Sequence, residues 1–267
     1  HTDMGIANEL TDFFSFFVPG YRYMPAFRNK VWDGKIRLYN SQSQELPVGL
    51  FPYLQEFCGP RNYKVEVEHS NFYGLPGATV DVDPAELSTF INSLSLSTKG
   101  TRINPHDYQI EAICEGLHRK RSILLSPTGS GKSLIIYVLM RYLLQKTNKK
   151  CLIIVPTTSL VQQMYSDFED YSYYDNDFVV ENECHRIYSG KEKNVGKDVI
   201  ISTWQSVYKL PGKWFEQFSM VFGDECHGFK SKSLTSIMNK CREAEYRFGT
   251  TGTLDGTQTH RLVLEGL

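Results

Sequence analysis

The sequence predicts an α/β fold in which a doubly wound, mostly parallel sheet follows a small α+β domain. From residue 101 onward, short apolar runs alternate with helical patterns, as expected for repeated strand–helix units. Residues 1–97 are rich in aromatic residues, are interrupted by Pro and Gly, and show both helical and strand periodicity. We therefore predict two domains, over residues 1–97 and 98–267.

Composition excludes several classes of protein. The chain has 267 residues, enough for two domains with their own cores, and a net charge of −1. Any nucleic-acid surface must therefore arise from local clustering of charge. The six cysteines form no Cys-x-x-Cys pair, which favours reduced thiols in a cytoplasmic protein. No apolar run approaches the roughly 20 residues of a membrane helix, so no membrane partner is predicted.

Within the first domain, periodicity predicts two helices, two strands and a linker. Ile36 and Leu38 alternate with charged residues in GKIRLYN (34–40), and Val65 and Val67 alternate in the same way in YKVEVE (63–68). Asp83, followed by a proline, is a typical helix cap. The predicted elements are a helix over residues 6–17, strands within 34–40 and 63–68, a helix that begins after residue 83, and a linker over 93–100.

Within the second domain, five apolar runs predict the strands of a parallel sheet. They lie at residues 122–126, 151–155, 199–203, 220–224 and 246–250. Helical patterns stand between them, notably over residues 133–145 and 158–171, and a further helix from Asn104-Pro105 to about residue 117 precedes the first strand.

The stretch SPTGSGKS, residues 126–133, predicts a phosphate-binding loop between the first strand and a helix. Its glycines allow consecutive backbone N–H groups to face one anion at a helix N-terminus. Lys132 would reach the β- and γ-phosphates of a nucleotide, and Ser133 would bind Mg²⁺. Ser126 replaces the first glycine of the full pattern, and a flexible loop with a solvated lysine is the alternative. The predicted nucleotide-binding residues are Pro127, Thr128, Gly129, Ser130, Gly131, Lys132 and Ser133.

The stretch MVFGDECH, residues 220–227, predicts an acidic pair at the end of a later strand of the same sheet. Asp224 would bind Mg²⁺ opposite Ser133, and Glu225 would orient the attacking water, since phosphoryl transfer depends chiefly on positioning. The alternative is an acidic pair exposed at a strand end.

The order Asp-Glu-Cys-His resembles the DExH box of superfamily 2 helicases and translocases, and four further segments follow the order of that family. PHDYQ (105–109) resembles its adenine-reading segment, VPTTSLVQQ (155–163) and STWQSV (202–207) resemble its nucleic-acid-contacting segments, and TGT (251–253) resembles its coupling motif. Gly223 and Gly252 depart from the residues usual in the family, and neither departure removes a catalytic group.

This resemblance implies a RecA-like domain of the P-loop NTPases that uses ATP and Mg²⁺. It implies that Tyr108 and Gln109 bind the nucleotide and that Thr157, Thr158 and Thr203 bind nucleic acid, while Trp204 either stacks on a base or packs in the core. The implied catalytic residues are Lys132, Asp224, Glu225 and His227, and the coupling residues are His227, Thr251 and Thr253.

The family also has a second RecA-like domain, which supplies arginine fingers that are worth about 10³–10⁵ in rate. The sequence stops at Leu267, soon after the coupling motif, so the resemblance implies that the second domain is absent from this chain. We therefore expect a monomeric fragment that binds ATP weakly and hydrolyses it poorly.

A local basic patch in the first domain predicts electrostatic docking on nucleic acid. Aromatic residues are interleaved with its cations, and two of the cations lie on one strand face about 7 Å apart, close to the spacing of phosphates. The alternative is a solvated strand face over an aromatic core. The cations are Arg22, Arg28, Lys30, Lys35 and Arg37.

Residues 20–40, with LPVGL (46–50) and FC (57–58), resemble the N-terminal module of the recombination helicases of T-even-like phages. The resemblance implies a motor in the host cytoplasm that unwinds or branch-migrates DNA, either branched DNA, duplex DNA or RNA–DNA hybrids in R-loops. A double-strand DNA translocase that does not separate strands is one alternative. A non-catalytic adaptor with a vestigial phosphate loop is another, although the intact catalytic set argues against it.

Overall fold

The structure is a computed structural model that describes the chain except residues 1, 19, 69–75, 128, 189–191, 194–195, 227–230 and 253–257. The chain divides into two compact units, His1–Gly77 with Leu254–Leu267, and Ala78–Thr253. Here they are called the small unit and the large unit. The division differs from the predicted boundary at residue 97. No helix among the described residues combines the length and apolarity that a bilayer span requires.

The elements are numbered in chain order. The helices are α1 (Met4–Phe13), α2 (Pro25–Arg28), α3 (Phe51–Cys58), α4 (Pro84–Ser93), α5 (Asp107–Arg119), α6 (Lys132–Lys146), α7 (Thr158–Tyr171), α8 (Val180–Glu183), α9 (Trp204–Val207), α10 (Gly212–Phe215), α11 (Ser231–Lys240) and α12 (Gln258–Gly266). The strands are β1 (Ser15–Phe17), β2 (Lys35–Arg37), β3 (Ser97–Thr98), β4 (Thr101–Arg102), β5 (Arg121–Leu125), β6 (Lys150–Val155), β7 (Cys184–Ile187), β8 (Val199–Thr203), β9 (Phe218–Gly223) and β10 (Tyr246–Thr251).

A six-stranded parallel sheet organises the large unit, in the order β5-β10-β9-β6-β8-β7. The α/β prediction is confirmed, and all five predicted strands occur within two residues of their expected bounds. The sequence prediction missed β7, which pairs with β8 alone among the described strands and includes the polar residues His185 and Arg186. An edge strand with polar residues lacks the continuous apolar run that reveals a buried parallel strand.

The small unit is built around a short antiparallel pair, β1 with β2, that packs near α1 and α3. Its core includes Phe14, Leu50 and Phe57, which are almost fully buried. Gly34 has φ +82°, and a Cβ there would lie 2.2 Å from the ring of Tyr21. Only glycine fits this position, because it tolerates the left-handed backbone and leaves room for the ring.

Two predictions for residues 1–97 are wrong. The helix expected over 6–17 ends at Phe13, and β1 follows it, because residues 15–17 pair with β2 instead. Residues 63–68 form no strand, and both Val65 and Val67 are exposed. Alternation alone therefore predicted a strand for which no partner strand lies alongside in the described chain. By contrast, Asp83 caps α4 as predicted, accepting the N–H of Ala85 at 2.9 Å.

The predicted linker over 93–100 is also wrong. Its residues include β3, which forms a hairpin with β4, and Ser97 is fully buried. Asp170, in the last turn of α7, holds the hairpin: its carboxylate accepts hydrogen bonds from Thr98 Oγ1 at 2.9 Å and from the N–H of Lys99 at 2.6 Å. The serine and threonine residues that suggested a flexible linker instead form specific hydrogen bonds.

Helix α4 lies in the large unit because its apolar face joins the core of that unit. Leu87, Phe90 and Ile91 belong to the same buried cluster as the residues of α6. Phe90 packs edge-on against Tyr142 with 5.1 Å between ring centroids. This burial explains why the structural division precedes the predicted boundary.

A buried ion pair connects α6 to the segment that follows α7. The Arg141 guanidinium contacts the Asp175 carboxylate and donates to Tyr137 Oη at 2.7 Å, and the two charged side chains are only 8% and 7% exposed. Lys146 of the same helix pairs with Glu86 at 2.6 Å, but both of those side chains are 50% exposed. The two pairs have similar chemistry and differ mainly in burial.

Arg141→Met should lower the free energy of unfolding by about 3–5 kcal/mol, because it leaves the Asp175 carboxylate buried without its cation. Methionine retains most of the apolar stem, so lost packing contributes little. Lys146→Met is the matched control and should cost about 1 kcal/mol or less, since an exposed pair contributes little. Urea denaturation of both variants measures the difference, and equal losses would contradict the importance of burial.

Candidate active site

Parallel strand order brings three functional segments to one edge of the sheet. The loop at residues 126–131 follows β5, Asp224 and Glu225 follow β9, and β10 lies between those two strands. Pairing of Thr251 with Leu125 and of Gly249 with Gly223 aligns the three carboxyl ends. Ligands of open α/β sheets bind at this edge, so the topology supports the predicted location of the site.

The phosphate-loop lysine and the acidic pair converge, as the sequence predicted. Lys132 Nζ lies 2.9 Å from Glu225 Oε1, and it also donates to the backbone carbonyl of Ser126 at 3.3 Å. Both side chains are partly buried. A cation from one strand end and a carboxylate from another therefore meet where the triphosphate is predicted to bind.

Asp224 is a buried carboxylate held on one side by its neighbours. Its Oδ1 accepts hydrogen bonds from Thr250 Oγ1 at 2.5 Å and from the N–H of Glu225 at 3.0 Å. Burial raises the pKa of Asp224, while the hydrogen bond from Thr250 opposes that rise. Its Oδ2 accepts no hydrogen bond from the residues that the structure describes, which leaves that oxygen for a ligand or water.

Glu225 adopts an unusual backbone conformation. Its φ is +49°, in the left-handed region that residues other than glycine seldom occupy. Such a conformation costs on the order of 1–3 kcal/mol and occurs preferentially at functional sites. Together with the bond from its N–H to Asp224, this turn aims the Glu225 carboxylate back toward Lys132.

The oxygen groups proposed for Mg²⁺ fit a hard cation in their chemistry. Ser133 supplies a hydroxyl and Asp224 a carboxylate, and Mg²⁺ prefers a few such oxygens with several waters. Ser133 Oγ is hydrogen-bonded to Tyr171 Oη at 2.8 Å, so it must reorient or share that bond to bind a metal ion. Among the described residues, no three His, Cys, Asp or Glu side chains cluster as a metal site.

Two residues of α5 brace the phosphate loop. The side chains of Tyr108 and Gln109 both donate to the carbonyl oxygen of Ser130, each at 2.9 Å. Gln109 also accepts the N–H of His106 at 2.9 Å and is only 3% exposed. Gly131 has φ +77°, and a Cβ there would lie 2.3 Å from Gln109 Nε2. The glycine is thus required for the bracing contact, while adenine recognition by Tyr108 and Gln109 remains a prediction.

The predicted coupling residues are only partly described. His227, Thr253 and the loop residue Thr128 lie outside the described residues. Thr251 is fully buried, and its carbonyl accepts the N–H of Ser126 at 2.9 Å, which ties β10 to the phosphate loop. The preceding residue, Thr250, contacts Asp224.

Sequence reasoning missed Thr250 and Tyr171. Thr250 stands at the end of a predicted strand beside a predicted motif, so its position was a usable signal. Tyr171 lies in the last turn of α7, 38 residues from Ser133 along the chain, and no sequence pattern links the two.

The two predicted nucleic-acid segments begin at the carboxyl ends of neighbouring strands, β6 and β8, and continue into α7 and α9. Gln205 Nε2 donates to the carbonyl of Pro156 at 3.2 Å and joins the segments directly. Thr157 is exposed and caps α7, with Thr158 exposed beside it, which suits contact with a backbone phosphate. Thr203 is buried and bonded to Ser206 Oγ at 2.8 Å, which does not favour direct contact.

Trp204 occupies an intermediate environment. It is half-buried and packs edge-on against Tyr208 with 5.8 Å between ring centroids. The side chain therefore has a packing role, and part of its surface remains accessible.

The basic patch of the small unit is less uniform than the sequence predicted. Arg37 forms an ion pair with Asp33, and its hydrogen bonds lower the pKa of Asp33 to about 2. Lys35 Nζ lies 5.1 Å from the centre of the Phe17 ring, a cation–π contact. Arg22 is exposed, as are the two cations next to α2, Arg28 at its end and Lys30 after it.

Two known families match different parts of this chain. Residues 102–256 match the family described as the type III restriction enzyme, res subunit, and residues 1–68 match the family described as DNA helicase UvsW, N-terminal. A crystal structure of the UvsW helicase from bacteriophage T4 has a TM-score of 0.87 and 35% identity, covering 100% of this chain and 93% of that chain. The chain belongs to the UvsW helicases of superfamily 2.

Two curated relatives also match this chain. The ATP-dependent DNA helicase uvsW of enterobacteria phage T4 is 38% identical over 247 residues, which are 92% of this chain and 48% of the relative. The DNA 3′-5′ translocase XPB2 of Sulfurisphaera tokodaii is 29% identical over 163 residues, 61% of this chain and 34% of the relative. The chain thus spans about half the length of the first and a third of the second.

Asp224→Asn should stabilise the metal-free and nucleotide-free protein at about pH 7, by about 2–4 °C in Tm for each kcal/mol recovered. Burial raises the pKa of Asp224 above its unfolded value. The native state therefore binds more protons than the unfolded state between the two pKa values, and stability falls as pH rises through that window. The advantage of asparagine should be full above the window and vanish below about pH 4.

Thermal denaturation at both pH values checks this expectation. The exposed Asp177→Asn is the control and should leave Tm unchanged at either pH. A lower Tm for Asp224→Asn at neutral pH would show that the buried carboxylate stabilises the fold.

Proposed function

We propose that this chain is the ATP-binding half of a DNA helicase or branch-migration motor that acts on branched DNA or R-loops. The observation that carries the proposal is the convergence of Lys132 with Glu225, beside the buried Asp224, at one edge of a RecA-like sheet. Membership of a helicase family supports the use of ATP and DNA. The branched substrate and the RNA–DNA hybrid are inferred from the likeness to the phage helicase.

In the proposed mechanism, Lys132 exchanges its partner when a nucleotide binds. Its ammonium group now neutralises Glu225, and the β- and γ-phosphates would replace that carboxylate as its counter-charge. Glu225, released from the pair, would then orient the attacking water. The same movement thus prepares both the binding group and the hydrolytic group.

Ser133 and Asp224 would hold Mg²⁺, which would supply positive charge to offset that of the triphosphate. For Ser133 this requires a change in the bond that its hydroxyl forms with Tyr171. For Asp224 the open Oδ2 is the group available to the ion or its waters, while Thr250 keeps Oδ1 in place.

Strand β10 is suited to link nucleotide state to the rest of the motor. Thr250 contacts the acidic pair and Thr251 contacts the phosphate loop, so one strand touches both sides of the site. We propose that displacement at this strand end conveys loss of the γ-phosphate, and that Thr253 and His227, to which the family resemblance assigns coupling, take part.

DNA would bind at two places. Thr157 and Thr158 at the N-terminus of α7 would contact a backbone phosphate in the large unit. Arg22, Arg28, Lys30 and Lys35 would supply a sequence-independent electrostatic surface in the small unit. Arg37 contributes less, since Asp33 already neutralises it.

A double-strand DNA translocase is the second candidate, favoured by the likeness to an archaeal 3′-5′ translocase. Such a motor moves along DNA without separating its strands. Displacement of a triplex-forming oligonucleotide without unwinding of a forked duplex would favour this candidate over the helicase.

Lys132→Ala should abolish ATPase activity of the full-length protein stimulated by branched DNA, because it removes the cation that binds the phosphates. Glu225→Gln should retain nucleotide binding and stop turnover, since the amide keeps the shape and loses the carboxylate. Activity that is insensitive to DNA, or that survives either substitution, would refute the assigned roles. Lys149→Ala, which breaks an exposed ion pair elsewhere on the large unit, is the control.

The Arg28→Ala/Lys30→Ala double variant should weaken duplex DNA binding and reduce the slope of log K against log salt by about 2, since each phosphate contact contributes about 0.9. Lys64→Ala is the control, because Lys64 is also exposed but pairs with Glu66 at 2.7 Å. Titrations at several salt concentrations measure the slope. A slope that matches the wild type would show that the patch is a solvated surface that does not contact phosphates.

A further inference from the structure

A cavity in the small unit combines an aromatic wall with cations. It has a volume of 540 Å³ and is lined by Arg22, Phe27, Arg28, Lys30, Val31, Trp32 and Asp33. The volume lies within the range of about 300–1,000 Å³ that is typical of small-molecule sites. None of its residues belongs to the nucleotide site of the large unit.

The charge on the cavity wall is positive. Asp33, the acid among the lining residues, is already neutralised by Arg37. Arg22 donates from Nε to Tyr21 Oη at 3.2 Å and keeps its full charge, while Arg28 and Lys30 contact no carboxylate among the described residues. Three cations therefore face this volume without an opposing charge, which suits an anionic ligand.

The aromatic wall is held in place before any ligand binds. Trp32 lines the cavity, and its Nε1 donates to the carbonyl of Lys35 at 2.8 Å, which fixes one edge of the indole. The backbone N–H groups of Val31 and Trp32 both donate to the carbonyl of Ala26, at 3.0 and 3.2 Å. Phe27 is fixed by edge-on packing against Tyr21, with 4.8 Å between centroids.

We propose that this cavity binds one unstacked nucleotide of single-stranded DNA, with the base on Trp32 and the phosphate among Arg22, Arg28 and Lys30. A planar indole beside unpaired cations matches the two parts of a nucleotide, a flat base and an anion. In the interior of a duplex both faces of each base are covered by neighbours, so the ring selects unpaired bases. The proposal rests on the proposed function and adds a preference for the single-stranded part of a branched substrate.

The test compares an oligo(dT) strand with a blunt duplex of equal length, each labelled for anisotropy, on the same full chain. Trp32→Leu should weaken oligo(dT) binding by about 5-fold to 150-fold, the equivalent of roughly 1–3 kcal/mol for one stacked base. Blunt-duplex affinity should stay within about twofold, because the cations that contact phosphates remain.

Two further variants separate stacking from folding. Trp32→Phe loses the bond to Lys35 but keeps an aromatic face, so it should retain most oligo(dT) affinity. Tyr23→Leu removes an aromatic side chain that is 81% exposed and does not line the cavity, so it should change neither affinity. In addition, oligonucleotides with 5-iodouracil should photo-crosslink to the peptide that contains Trp32.

Equal loss on single strand and duplex would assign Trp32 a structural role and overturn the proposal. Unchanged oligo(dT) binding would also overturn it, and would leave an anion other than nucleic acid as the occupant. The motor proposal is tested separately by DNA-stimulated ATPase activity. Loss of ATPase coupling with intact Trp32-dependent binding would reject the motor and keep the nucleotide cavity.

Discussion

The ion pair between Lys132 and Glu225 is the central contact of the candidate site, and it depends on the strand order of the large unit. It joins residues 93 positions apart, and it exists because parallel pairing places β5 and β9 on either side of β10 with their carboxyl ends level. A shift of one residue in either pairing would turn every side chain of the strand to the other face. The buried strands that fix this register are therefore as important to the site as the charged groups themselves.

Two acidic residues of the site are held in energetically unfavourable states. Asp224 is buried at a cost in its ionisation, and Glu225 holds a strained backbone. Among the residues that the structure describes, Thr250 Oγ1 and the N–H of Glu225 offset part of the cost at Asp224, and both contact the same oxygen, Oδ1. Such partial compensation is typical of sites that sacrifice stability for binding.

Much of the large unit could be predicted because its elements follow local rules. Five strands are continuous apolar runs, namely β5, β6, β8, β9 and β10. The phosphate loop is recognisable because its Gly, Lys and Ser residues stand at the spacing of a known motif. Contacts between residues far apart in the chain gave no such signal. The hydrogen bond between Tyr171 and Ser133, for example, depends on the packing of α7 against α6. In the small unit, alternation misled at Val65 and Val67, because a strand also needs a partner, and periodicity does not encode one.

The hairpin of β3 and β4 has a position in the large unit that its polar sequence conceals. Asp170 anchors it to the last turn of α7, and the very next side chain, Tyr171, holds the hydroxyl of Ser133. Residues 97–102 are thus connected, through the adjacent residues Asp170 and Tyr171, to Ser133 at the end of the phosphate loop. This short stretch is therefore an anchored part of the large unit, connected through two adjacent residues of α7 to the first turn of α6.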